Sequence, residues 1–310
     1  MADLNSAIAI IIPAAATLAA GVMASPLLLN GVLRIFAKGR ARWTFLYDLA
    51  LRLSVLRVLR LLESRGEWEA VVDVGVPMSA YFWNHGHYQS LISVASLIEK
   101  SAYELELPDL QAQIRIEHMG WVAARLGRER EALESIRTGI AIAKQTGNKF
   151  LEVKGLRHLA GIAFKAGDLD GAQAKLEKAL EQSEVITEGK HQAEAAAPVH
   201  YGFAELLMAR GKMTEARSHH DQATQLYALI DDKRRSLKLI PQRATLLEHD
   251  GDIDGARALF EEGCRKARAL GRVDDVLTSL KGVFRTTALE GQKAKLDREI
   301  KIIGRAIGHD

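Results

Sequence analysis

The chain has 310 residues, enough for two ordinary domains or one elongated array. It is 48% hydrophobic, 26% charged and only 6% aromatic, and no stretch sustains the alternation of β-branched and polar residues that a strand needs, so an all-α chain is predicted. A formal net charge of +3 is too small to imply nucleic acid, and a single cysteine, Cys264, excludes an intramolecular disulfide and fits a reducing compartment.

The first element is apolar. From Leu4 to Leu33 no side chain is charged, and the run exceeds the ~20 residues that cross a bilayer core. Arg34, Lys38, Arg40 and Arg42 follow it, whereas Asp3 is the only charge before it. The positive-inside rule then puts the downstream chain in the cytoplasm, giving a single-pass protein of the cell membrane, inner or plasma. Two other readings stay open. A signal peptide would carry its positive charge before the apolar run, not after it. A buried or trigger-inserted hairpin is compatible with breaks at Pro13 and Pro26. Small residues four apart (Ala16, Ala20, Ala24; Gly21, Ser25) suit close association of membrane helices.

Between Trp43 and Arg65, Leu46, Leu49, Leu53, Leu56 and Leu59 recur at helical spacing with Arg52, Arg57 and Arg60 interleaved. This predicts an amphipathic helix whose basic face lies either on anionic headgroups or in solvent. The expected division is residues 1–36 as the membrane segment, 37–66 as a basic juxtamembrane helix and 67–305 as a repeat array.

The repeat is legible in its glycines. Gly86, Gly127, Gly167, Gly211, Gly251 and Gly291 are separated by 41, 40, 44, 40 and 40 residues. Five residues after them come Leu91, Ala132, Ala172, Ala216, Ala256 and Leu296; seven before them come Ser79, Gly120, Ala160, Ala204, Ala244 and Phe284. This is the pattern of a helical hairpin: a small residue where two helices cross, a glycine that takes a positive φ in the turn, and a small residue on the second helix. Such hairpins stack into a solenoid because none buries its apolar face alone. The 44-residue step predicts a looser connector at 187–198.

These residues resemble the tetratricopeptide repeat, best in 120–133, 160–173 and 244–257, with a period nearer 40 than 34. The resemblance implies an α-solenoid that binds protein or peptide on its concave face. Residues 80–128 further resemble the start of the repeat tails of bacterial signal-transduction ATPases of the STAND, LuxR and AfsR types. The ATPase module is missing, since no G-x-x-x-x-G-K-S/T motif occurs.

Chemistry is sparse. Asp250, Asp252, Asp254, Gly255 and Glu261 match the EF-hand spacing, but the repeat frame makes Ala256 to Glu261 helical and turns Asp252 and Asp168 into helix caps. His219, His220 and Asp221, with His200 upstream, read as a polar helix face rather than a zinc site. His85 and His87 flank a turn, and Cys264 reads as a small packing residue. With no G-x-S-x-G, H-E-x-x-H or paired cysteines, no enzyme activity, cofactor or metal is expected.

Carrying the tetratricopeptide register onto the chain gives a groove of Glu117, Trp121, Arg125, Lys154, Arg157, Lys165, Tyr201, Glu205, Lys238, Glu248, Lys281 and Arg285. Cations outnumber anions there, which suits an acidic or phosphorylated peptide. The expected function is a membrane-tethered interaction scaffold or adaptor. A switchable membrane effector that senses a ligand, oligomerises and associates its N-terminal segments, even as a pore, is the second reading. A soluble peptide-sensing regulator is the third.

Overall fold

The computed structural model describes residues 40–231 and 236–306. Helices α1 (Arg40–Ser64), α2 (Trp68–Asn84) and α3 (Tyr88–Glu104) open the array. Helix α4 starts as Pro108–Gln113, passes through a π-helical Ile114–Gly120 and ends as Trp121–Arg125. Then come α5 (Glu129–Gln145), α6 (Lys149–Lys165), α7 (Leu169–Glu184), α8 (Gly189–Ala209) and α9 (Met213–Leu229). A 3₁₀ turn, Ser236–Lys238, leads into α10 (Leu239–His249), followed by α11 (Ile253–Ala269), α12 (Val273–Thr286) and α13 (Glu290–Ala306). Helices α2 to α13 form six consecutive hairpins, with α1 packed on the first.

The turns follow the glycine pattern. Gly86, Gly127, Gly167, Gly211 and Gly251 all have φ between 72° and 88°, a conformation that only glycine adopts without a Cβ penalty. Small residues occupy the crossings: Ser79, Ala160, Ala204, Ala132, Ala172, Ala216 and Ala256 are all buried. At Gly120 a Cβ would lie 2.4 Å from Ile136 Cγ1 and 3.2 Å from the Ala132 carbonyl of α5, so the helices meet at backbone distance. The period also reappears between hairpins. Asn148 donates to Asp109, 39 residues away, at 3.0 Å, and Arg285 pairs with Glu248, 37 residues away, at 2.7 Å.

Asp168 and Asp252 accept from the amides of Gly171 (2.8 Å) and Gly255 (2.9 Å), so both act as N-caps. In the EF-hand-like stretch, Asp250 bonds Arg217 and Asp254 bonds Arg257 while Ala256–Glu261 run within α11. Among the described residues no group of three or more His, Cys, Asp or Glu is placed to hold a metal. Cys264 is buried among Leu237, Ala267, Val276 and Leu280.

Four expectations are corrected. Gly291 is not in a turn; it lies in the first turn of α13. The last hairpin turns instead at Thr287, whose φ of −83° and ψ of 128° leave the helix, and the Arg257 Nε donates to the helix-end carbonyl of the buried Thr286 at 2.9 Å. Phe284 is therefore not a small crossing residue; the close approach on α12 is at Gly282, where an added Cβ would lie 2.2 Å from the Phe260 ring of α11 in the preceding hairpin. The 44-residue step is taken up mostly by a longer helix, not a loose connector: α8 has 21 residues against 17 in α6, and its Ala193, Ala195, Ala196 and Ala197 are buried. Leu53, expected on the apolar face of α1, is 47% exposed, while Val55 and Leu59 are buried.

Among the described residues no helix is long and apolar enough to cross a membrane. The expected membrane segment, 4–33, and Arg34 and Lys38 lie outside the described residues, whereas Arg40 and Arg42 fall in the first turn of α1.

Candidate functional site: the concave cavity

The first helix of each hairpin faces the inside of the superhelix, and its polar side chains converge there. A cavity of about 390 Å³ is lined by Trp83 of α2, Glu117, His118 and Trp121 of α4, Lys154, Arg157 and His158 of α6, Lys238 of the 3₁₀ turn, and Arg272 just before α12. That volume lies within the range of small-ligand pockets. Glu117 and His118 sit in the π-helical stretch, a local widening that recurs at functional sites.

The charges are layered. Lys154 Nζ lies 3.0 Å from Glu117 Oε1, and Arg272 Nε lies 2.9 Å from Asp275 Oδ2. Burial works to raise the Glu117 carboxyl, but Lys154, His118 and Arg157 together hold it below its ordinary value. Burial pushes the His158 imidazole well down, helped by Arg157 and Lys238. His158 also lies 4.5 Å, centroid to centroid, from Trp121. Lys165 Nζ lies over the Trp121 ring, 5.4 Å from its centroid, and burial, then Arg125, lowers its pKa. Deeper in, Tyr201 donates to Glu205 at 2.9 Å; burial raises the Glu205 carboxyl more than Tyr201 and the surrounding cations lower it.

The two ends of the array also meet through side chains. Arg125 on α4 lies 2.6 Å from Asp274 in the first turn of α12, and Tyr88 of α3 donates to the same carboxylate oxygen at 2.5 Å. Burial raises the Tyr88 phenol, so it stays a donor. Arg125 also sits 5.9 Å from the Trp83 ring and 5.8 Å from Tyr88. Leu277 joins the apolar core of the first hairpin, and Val273 packs against it. The last hairpin therefore closes on the first through side chains, polar and apolar together.

Of the groove residues expected from sequence, Glu117, Trp121, Lys154, Arg157 and Lys238 line the cavity. Arg125, Lys165, Tyr201 and Glu205 form its second layer. Glu248 and Arg285 bond each other away from it, with Arg285 over Phe260, and Lys281 is exposed. His118, His158, Tyr88 and Asp274 were missed. Helical spacing from Lys154 through His158 to Lys165 could have found His158; nothing local marks Asp274, which reads as an ordinary first-turn acid.

The histidines of α9 also need correction. His220 is not on a polar face; it is buried, with its Nδ1 2.9 Å from Gln242 Oε1. His219 meets His200 at 2.9 Å, and burial, then His219, pushes the His200 imidazole down to about 4.

No family model matches the sequence, and no curated protein is significantly similar to it. Solved structures are similar in fold. A Rap protein complexed with competence and sporulation factor is 13% identical, with a TM-score of 0.59 over 86% of this chain and 73% of that one. BtubC (BKLC) from P. vanneervenii is 17% identical, with a TM-score of 0.50 over 71% and 90%. A putative kinesin light chain from Podosopora anserina with TPR-like repeats is 18% identical over 67% and 97%, but its TM-score of 0.40 carries no weight. Identities this low speak to fold alone, and the fold is a tetratricopeptide-like α-solenoid.

Proposed function

We propose that the protein is a membrane-tethered interaction scaffold that takes a protein or peptide partner into its concave cavity. The observation that carries this reading is the cavity itself, whose walls carry Trp83 and Trp121 with Lys154, Arg157, Lys238 and Arg272 from successive hairpins. The Rap structure, solved with a factor bound, supports the same class of action for a similar fold. Residues 4–33, with Arg34, Lys38, Arg40 and Arg42 behind them, supply the tether to the cell membrane, with the repeat domain cytoplasmic. Tethering would raise the effective concentration of a recruited partner at the bilayer. The proposal assigns the chain binding rather than catalysis, and no nucleic-acid partner.

One observation favours the switchable effector as a second reading. The Arg125–Asp274–Tyr88 contact joins the two ends of the array, so a ligand entering the cavity can alter it and report its presence along the helices. The likeness of 80–128 to sensor tails points the same way, and homo-oligomerisation would be the output. The test is purification of the full chain from native membranes beside its Trp121→Ala variant, with bound proteins and peptides identified by mass spectrometry. A partner retained by the native chain and lost from the variant supports the scaffold; an equal set of partners on both contradicts it.

A further inference from the structure

We infer that the cavity holds a subsite for a compact anion, a carboxylate or phosphate group, received by Lys238 beside Arg157. The inference rests on reading the concave face as the ligand face, but not on the partner being a protein. Of the four lysines and arginines among the described residues that line the cavity, Lys154 is matched by Glu117 and Arg272 by Asp275, and Arg157 lies 2.6 Å from His158 Nε2. Lys238 has no hydrogen-bond or ion-pair partner among the described residues, although it is partly buried on the wall of the concave face. Leaving an ammonium desolvated and unpaired is unfavourable, and a ligand anion would remove that penalty. Trp83, Trp121 and Pro198 form an apolar wall, so the group that carries the anion has a surface to rest on.

The groups facing Lys238 come from every neighbouring element: Arg157 and His158 on α6, Glu205 on α8, Arg125 on α4, and Arg272 and Asp275 at α12. Burial, opposed by Asp275 and reinforced by Arg157 and Arg272, pushes the ammonium down to about 8. An anion beside it would favour the protonated form, so binding should weaken as pH rises through that value.

The test is calorimetric titration of the full chain in detergent with succinate, inorganic phosphate and tetraglutamate, which separate a free carboxylate, a phosphate and a peptide carboxylate. Binding of at least one at pH 7 is expected, weakened tenfold or more in Lys238→Met. Succinate stays charged between pH 7 and 9, so its binding, where seen, should fall across that range in the native chain and stay level in Lys238→Arg. Circular dichroism of both variants establishes that they fold. No binding of any probe up to 10 mM, or undiminished binding by folded Lys238→Met, would overturn the subsite. Since the probes are free anions, either result leaves the retention of a protein partner to its own experiment.

Discussion

The molecule has two interiors built by opposite rules. Inside each hairpin, Ser79, Ala132, Ala160, Ala172 and Gly120 let helices approach to backbone distance, and the space is dry. Inside the superhelix, the walls carry Glu117, Arg125, Lys154, Arg157, Lys238 and Asp274, and a cavity remains. The first interior tolerates no added atom; the second carries charges that would be unfavourable there if unpaired. The dry interior fixes the repeat, and the charged one is where a ligand can act.

Breaking the closure should have the largest effect. Asp274→Ala leaves the Arg125 guanidinium without its carboxylate, and the expected loss is about 3 kcal/mol or more, as for other interrupted buried pairs. Denaturant unfolding measures it, with loss of protection at Leu277 in hydrogen exchange as the local signature. Overfilling a crossing comes next. Gly120→Ala puts a Cβ against Ile136 and two backbone carbonyls that cannot retreat, so a net loss of about 2 kcal/mol is expected despite the better helix propensity of alanine.

The charged interior should respond with the opposite sign. Lys238→Met removes an ammonium that burial disfavours and that no described residue pairs, and should stabilise the unliganded protein at pH 7 by about 1–2 kcal/mol. The native Lys238 has a lowered pKa, so the unfolded chain binds more protons above pH 8, and native stability rises with pH there. The advantage of the variant should thus shrink between pH 8 and 10.5, as thermal melts of the two would show. Smallest is the cap: Asp252→Ala frees the Gly255 amide and should lower stability by about 1 kcal/mol, with no effect on ligand binding.

The dry interior was legible in sequence because its constraint is periodic. Gly and Ala recur every 40 residues or so, and the same signal identified the turns and caps. It failed where the period is broken: Gly291 kept its spacing but not its role, because Thr287 ends the helix four residues earlier. The charged interior was legible only in part. Lys154, Arg157 and Trp121 follow from the register of one repeat, but the pairing of Arg125 with Asp274 joins residues 149 apart and depends on the superhelical pitch. His220 was misread for a related reason: its partner, Gln242, arrives from the next hairpin.

The most direct measurement is a double-mutant cycle between Arg125 and Asp274, with Arg125→Met, Asp274→Asn and the double variant compared by denaturant unfolding. A coupling of about 2 kcal/mol is expected if the last hairpin closes on the first through this pair. Additive losses, within about 0.5 kcal/mol, would mean that the two ends of the array do not close through this pair.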